Sequence, residues 1–195
     1  MMDPTEIGNY LHLFEDLPPQ DIASLLNIAE VRSLKAGQVY IREGVISQKL
    51  ALIREGMIRA YQPKGDGEEI TLMLRWEQQI LASVDGILYQ RPSRFVYQAL
   101  EDTTLMEVDY GEVQSIIDNN PRLASARNVL LLQILSQAME RLESFLLLSP
   151  EERYRKLIRE KPDIFNRVPN KYISTFLGIT PVSLSRIRKR ISRRH

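Results

Sequence analysis

The sequence predicts an α+β protein: an antiparallel β-barrel or sandwich, then a long helix, then an all-α end that closes in a helix-turn-helix. Three observations carry this. Short apolar or alternating runs separated by glycine-marked turns fill Val31 to Asp109, at the roughly 8–12-residue spacing of an all-β unit. Apolar residues then recur every three or four positions from Pro121 onward, with no glycine or proline to interrupt them before Pro150. Finally, the charge divides. Residues 1–150 hold 13 Lys and Arg against 21 Asp and Glu, whereas residues 151–195 hold 13 against 4, with no acid after Asp163. An excess confined to one end suits a polyanionic partner there.

Taken in order, residues 5–30 read as helical. "PPQDIASLLNIAEVRSL" puts Ile22, Leu25, Leu26 and Ala29 on one face after a Pro-Pro start, with Asp21 near the entry. Strands are expected in "QVYIREG", "KLALIREG", "MIRAYQPK", "EEITLML", "FVYQALE" and "TLMEVD". Turns are expected at Lys35-Ala36-Gly37, Glu43-Gly44, Glu55-Gly56 and Gly65-Asp66-Gly67, the last a strong hairpin signal. "YGEVQSIIDNN" reads as a short helix before Pro121 starts the long one. In that helix Leu123, Ala126, Leu130, Ile134, Ala138, Leu142 and Phe145 follow one another at spacings of three or four. "VLLLQIL" is apolar on more than one side, so two faces must be covered. One can rest on the barrel, and a second copy of the same helix is the simplest cover for the other. A homodimer is therefore expected. Ser149-Pro150-Glu151-Glu152 then offers a hydroxyl cap, a first-turn proline and acids at the positive helix end. Tyr154, Leu157 and Ile158 form the stripe of this helix, and Pro162 stops it. The expected units are a barrel unit over 1–120, the long helix over 121–148 and a helix-turn-helix unit over 149–195.

"KYISTFLG" reads as a helix with Ile173, Phe176 and Leu177 on one face and Gly178 ending it. Thr180 caps the next helix and Pro181 occupies its first position. Leu184, Ile187 and Ile191 then share one face, while Val182, Ser185, Arg186 and Lys189 lie opposite. Helix, glycine turn and basic amphipathic helix are the parts of a helix-turn-helix that places its second helix in the major groove of double-stranded DNA. Arg186 suits guanine O6 and N7, Val182 a thymine methyl, and Ser183 and Ser185 bases or phosphate. Thr180, Lys171, Tyr172, Lys189 and Arg190 are expected on the backbone, positioning the protein without specifying sequence.

Other classes find little support. There is no cysteine, which removes disulfides, thiolate metal sites and cysteine nucleophiles. No phosphate-binding loop, nucleophile elbow or metal-spaced histidine pair occurs, so neither enzyme nor metal site is expected. Glu68-Glu69, Glu101-Asp102 and Glu151-Glu152 read as turn, surface or capping acids. Tyr61, Met73 and Tyr97 read as core or pocket lining. The apolar runs are too short to span a bilayer and "MMDPTEIGNY" is not a secretory start, so the expectation is a cytoplasmic protein without a membrane partner. A ligand-binding module acting on a protein partner, rather than on DNA, is the alternative.

The order of parts resembles the CRP/FNR family of bacterial transcription regulators. "LKAGQVYIREGVISQKLALIREGMIRAYQ" and "RPSRFVYQALEDTTLMEV" are similar to parts of its cyclic-nucleotide-binding jelly roll. "KYISTFLGITPVSLSRIRKRI" is similar to the form found in Bacteroidetes-type members. The resemblance implies a jelly-roll sensor domain, a homodimer seamed along the long helix, and one DNA half-site read per subunit. It implies RNA polymerase as a further partner. The family's ligand stretch falls on Ala82-Ser83-Val84 and Pro92-Ser93-Arg94, with Asp85 and Arg91 nearby. Ser83 stands where cyclic-AMP-binding members carry a ribose-binding glutamate, so cyclic AMP is not expected and no cofactor is assigned. A pocket for some other small ligand would fall on Ser83, Val84, Asp85, Arg91, Ser93 and Arg94. Haem is not expected with only His12 and His195, and the chain ends before the C-terminal wing that many members carry.

Overall fold

The computed structural model describes residues 17–65 and 67–192. Eight strands build the barrel: β1 (Glu30–Leu34), β2 (Val39–Ile41), β3 (Lys49–Glu55), β4 (Ile58–Pro63), β5 (Glu69–Arg75), β6 (Ile80–Ala82), β7 (Val96–Ala99) and β8 (Thr103–Asp109). They form two antiparallel four-stranded sheets, ordered β1-β8-β3-β6 and β2-β7-β4-β5. Every connection crosses between sheets except the β4–β5 hairpin, which gives the jelly roll its two layers. Pleat alternation sends Leu34, Ala51, Ile53, Ile58, Ala60, Leu81, Tyr97, Ala99 and Leu105 into the interlayer core. Met73 packs against them. The other face of β3 presents Leu50 and Leu52, which line an apolar groove under the helices. Asp66, at the tip of the β4–β5 hairpin, lies outside the described residues, as does the start of the helix read over 5–30.

That helix is shorter than its apolar pattern suggests. It is described as α1 (Pro19–Leu26), and Glu30, the last residue of the expected range, already belongs to β1, which pairs with Thr103–Glu107 of β8. Backbone pairing along a sheet edge overrides the local helical periodicity. The sequence reading also missed β6, a short helix α2 (Val84–Tyr89) and a one-turn helix discussed below. From Tyr110 onward it matches closely. α3 (Tyr110–Asp118) is capped by Asp109, which accepts from the Gly111 amide at 2.9 Å. α4 (Pro121–Leu147) is capped by Asn120. The buried Asp21 carboxylate receives Asn120 Nδ2 at 2.8 Å and Arg122 Nε at 2.7 Å, clamping α1 to the head of α4.

α4 meets different neighbours along its length. Leu123 is buried with Val113 and Ile117, a core position within the protomer and not the seam position expected for it. Ala126, Leu130 and Ile134 line the groove over β3, β6 and β8. Phe145 rests on the helix-turn-helix, as its glycine shows below. Of the expected stripe, Ile134, Ala138, Leu142 and Phe145 are exposed. Leu131, Leu132, Leu135, Met139 and Leu146 are exposed beside them.

The C-terminal helices are α5 (Pro150–Glu160), α6 (Ile164–Arg167), α7 (Asn170–Phe176) and α8 (Pro181–Ser192). α5 opens with a reciprocal capping box between Ser149 and Glu152. Tyr154, Leu157, Ile164, Val168, Ile173, Leu177, Leu184 and Ile187 form their core, which they share with Met57 and Leu74 of the barrel. The helical unit therefore closes only against β4 and β5.

The β3–β4 turn is a constraint of the backbone. Gly56 has φ 92°, and a Cβ there would stand 2.5 Å from Thr103 Oγ1 and 2.6 Å from the Asp102 carbonyl. Gly56→Ala is expected to cost about 1–3 kcal/mol, seen as a lowered urea midpoint at unchanged slope.

Candidate nucleic-acid interface and ligand cassette

α7 and α8 are joined by a tight turn. Gly178 has φ 67°, and a Cβ on it would lie 2.7 Å from Phe145 Cε1, so the ring of α4 is pressed against the turn. Thr180 Oγ1 accepts from the Ser183 amide at 3.1 Å, starting α8 where the sequence placed its cap. Leu184 and Ile187 are buried and Ile191 half-buried, which fixes the rotation of α8. Val182, Ser185, Arg186 and Lys189 consequently face outward and are exposed. Among the described residues, no carboxylate pairs with Arg186 or Lys189.

The other residues expected at this surface differ in their freedom. Lys171 is exposed, its ammonium 4.7 Å from the Tyr172 ring centroid. Ser183 is half-buried and accepts from the Thr180 hydroxyl at 3.0 Å, so it belongs to the cap. Arg190 is held by Glu151 at 2.8 Å. Arg188 donates to Asn170 Oδ1 at 3.1 Å and lies over Phe165. Tyr172 corrects the sequence reading. Its ring lies over Arg59 at 3.5 Å, against the barrel, and is not an outward phosphate contact. Arg59 is 1% exposed and reaches Glu69 at 2.7 Å, Gln98 Oε1 at 2.7 Å and the other side of the Tyr61 ring at 3.9 Å. Nothing in "MIRAYQ" distinguishes this arginine from a solvated strand residue; only the docked tyrosine does.

The residues expected to hold a ligand do converge, around α2. Ser83 is buried and its Oγ accepts from the Gly86 amide at 3.3 Å, capping α2. Asp85, buried beside it, accepts from Arg91 Nε at 2.9 Å, from Arg94 Nε at 3.0 Å and from the Arg94 amide at 3.2 Å. Buried Ser93 donates to the Phe95 carbonyl at 2.8 Å. Val84 does not join them: it is exposed and faces the groove beside α4. Asp85 is thus the hub of the cluster and supplies the charge that a bound phosphate would bring. Both guanidiniums are engaged by the one Asp85 carboxylate, which cancels one of their two charges, and Ser83 offers no carboxylate for a ribose, so the set lacks the ribose contact of a cyclic-nucleotide site. Tyr97 closes the region further by donating to the Ala82 carbonyl at 3.2 Å.

The Arg94 guanidinium, followed by that of Arg91, holds the Asp85 carboxyl down at about 2 against the opposing effect of burial. A carboxyl whose folded value is depressed stabilises the fold above its ordinary range and loses that contribution as pH falls toward the folded value. Denaturant midpoints should therefore fall more steeply for the native chain than for Asp85→Asn between about pH 4 and about pH 2. Equal slopes would show that the cluster is not closed in solution.

Residues 31–120 match the family model of the cyclic nucleotide-binding domain. Among solved structures, the chain is similar to FixK2 from Bradyrhizobium japonicum, at 15% identity, a TM-score of 0.73 and coverage of 86% of each chain. It is similar to CLP, a c-di-GMP-responsive global regulator of Xanthomonas campestris, at 15% identity and a TM-score of 0.67, covering 90% of this chain and 92% of that one. A third likeness is to the Catabolite Activator Protein of Thermus thermophilus, at 23% identity and a TM-score of 0.56, covering 93% and 87%. No curated protein matches the sequence. At such identities the likeness is one of fold. Residues 31–120 are thus similar to the cyclic nucleotide-binding domain family, and from barrel to helix-turn-helix the chain has the fold of the CRP/FNR transcription regulators.

Proposed function

We propose that this protein is a homodimeric transcription regulator that reads double-stranded DNA with α8. The observation that carries the reading is the outer face of α8. Val182, Ser185, Arg186 and Lys189 are exposed there, while the opposite face is anchored in a core shared with the barrel. A helix held so firmly presents its first turns to the major groove in one orientation. Arg186 reads guanine, Val182 and Ser185 contact neighbouring bases, and Thr180, Lys171 and Lys189 hold phosphates. Arg190 reaches a phosphate only by leaving Glu151. In this reading RNA polymerase is the protein that receives the signal.

The second copy covers α4. Leu132, Leu135, Met139, Leu142 and Leu146 are 47–73% exposed and recur every three or four residues over about four turns. Such a stripe on a protruding helix is the seam of a two-helix contact. Two copies then present two reading helices to half-sites about one helical turn apart. The cassette around Asp85 does not answer to cyclic AMP. Among the described residues, no helix is long and apolar enough to cross a membrane.

Selection from a random duplex pool, without cyclic nucleotide, should enrich a near-palindromic site whose affinity falls steeply with salt. Arg186→Ala should cost about 1–3 kcal/mol and relax preference at one base position per half-site, whereas Lys189→Ala should weaken all sequences alike. No enrichment, with or without cyclic AMP, would favour a protein partner instead.

Leu135→Glu with Leu142→Glu should convert the dimer to a folded monomer in light scattering and abolish preference for the paired half-sites. A dimer that survives both changes places the seam elsewhere.

A further inference from the structure

A second group of arginines lies where the barrel, α4, α5 and α7 meet. A cavity of about 270 Å³ opens there, lined among others by Arg75, Trp76, Gln79, Gln137, Arg141 and Arg153. Its size is near the lower end of small-molecule sites, roughly 300 Å³ upward. It shares no residue with the cluster around Asp85.

The charges of the cavity do not balance. Lys156, Glu140 and Glu160 also line it, and Lys156 lies 3.6 Å from Glu140 and 3.7 Å from Glu160. That leaves Arg75, Arg141 and Arg153 with no carboxylate partner among the described residues. The hydrogen bonds of Arg141 and Arg153 go to backbone carbonyls. Arg141 Nη2 donates to Phe176 O at 2.7 Å, and Arg153 donates to Leu177 O at 3.0 Å and Leu148 O at 2.6 Å. The three guanidiniums also burden one another. Burial, then Arg75, then Arg153 hold Arg141 down at about 10, against the pull of Glu160. Counting the lining side chains, four cations face two carboxylates.

We propose that this junction is a binding site for a small phosphate-bearing ligand, held by Arg75, Arg141 and Arg153. A dianion matches the excess charge, and guanidiniums present paired donors to phosphate oxygens. Gln79 and Gln137 add neutral donors. Trp76 and Phe176 supply apolar surface for whatever carries the phosphate. Two of the arginines hold the carbonyls of Phe176 and Leu177, the last residues before Gly178 in the helix-turn-helix. Occupancy is therefore felt at the turn that orients α8. That last step rests on the DNA-reading proposal; the binding itself does not.

Trp76 is the single tryptophan of the chain, so its emission reports on the cavity directly. The full chain would be titrated, without DNA, with inorganic phosphate and with adenosine 5′-monophosphate at ionic strength held constant by sodium chloride. A saturable change with either probe is expected, with adenosine 5′-monophosphate tighter if the ring stacks on Trp76. Arg75 makes no side-chain hydrogen bond among the described residues, so Arg75→Gln should fold and bind at least about tenfold more weakly. The proposal fails if neither probe saturates, if sodium chloride alone gives the same change, or if Arg75→Gln binds as the native chain does. Melting temperature with and without phosphate gives a second readout, and a native chain unmoved by saturating probe would also overturn it.

Discussion

The buried contact between the barrel and the C-terminal helices organises the molecule. Met57 and Leu74 are fully buried among side chains of α5, α7 and α8. Beside them Arg59 is a buried charge, which is costly unless its surroundings answer it. Glu69 and Gln98 do so from the barrel, but the faces of the guanidinium are covered by Tyr61 and Tyr172, and Tyr172 belongs to α7. The amide of Thr71 in β5 also donates to Thr175 Oγ1 at 3.2 Å. Arg167 pairs with Glu77 and Glu101 at the rim of the same contact. The first helix of the helix-turn-helix is thus a lid on a charged site of the barrel, and the orientation of α8 follows from it.

α4 transmits this constraint along its length. Its head is fastened by Asp21 and Leu123, its middle lies over the apolar face of β3, and its tail carries Arg141 and Phe145 onto the turn at Gly178. Its remaining face is the exposed leucine stripe. A second copy seated there would meet a helix whose two ends are already attached to the ligand-domain fold and to the reading unit. Movement at the seam would then move α8 without any contact between the seam and α8 itself.

The parts legible in the sequence are those set by local chemistry. Thr180, Ser149 and Gly178 act within a few residues of themselves, and each cap or turn stands where its residue type placed it. The outward face of α8 was equally legible, because one strong apolar stripe fixes the rotation of a helix. α4 was less so. Apolar residues surround it, and periodicity alone cannot say which stripe meets the barrel and which meets solvent; Leu123 and Phe145 went to the protomer. β1 is absent from the expected strands because Glu30–Leu34 lacks a clear alternation of its own, and pairing with β8 is what makes it a strand. The stacking of Tyr172 on Arg59 and the gathering of the junction arginines depend on elements distant in sequence, so no local pattern announces them. The acid pairs show the same limit: Glu101 and Asp102 read as surface or turn residues, yet they answer Arg167 and Lys35.

The two arginine groups on either side of the barrel separate what the fold inherits from what this chain does with it. Around α2, Arg91 and Arg94 both hydrogen-bond to Asp85, which cancels one of their two charges. Adding an anion there means breaking charge-assisted hydrogen bonds to a buried carboxylate and leaving that carboxylate without partners. At the junction the opposite holds. Arg75, Arg141 and Arg153 repel one another in a half-buried site, and an anion removes that repulsion without displacing a carboxylate. Among guanidiniums of equal intrinsic strength, the unneutralised set gains more from a phosphate. The same difference separates the cations of α8, where Arg190 is held by Glu151 while Arg186 and Lys189 have no such partner among the described residues.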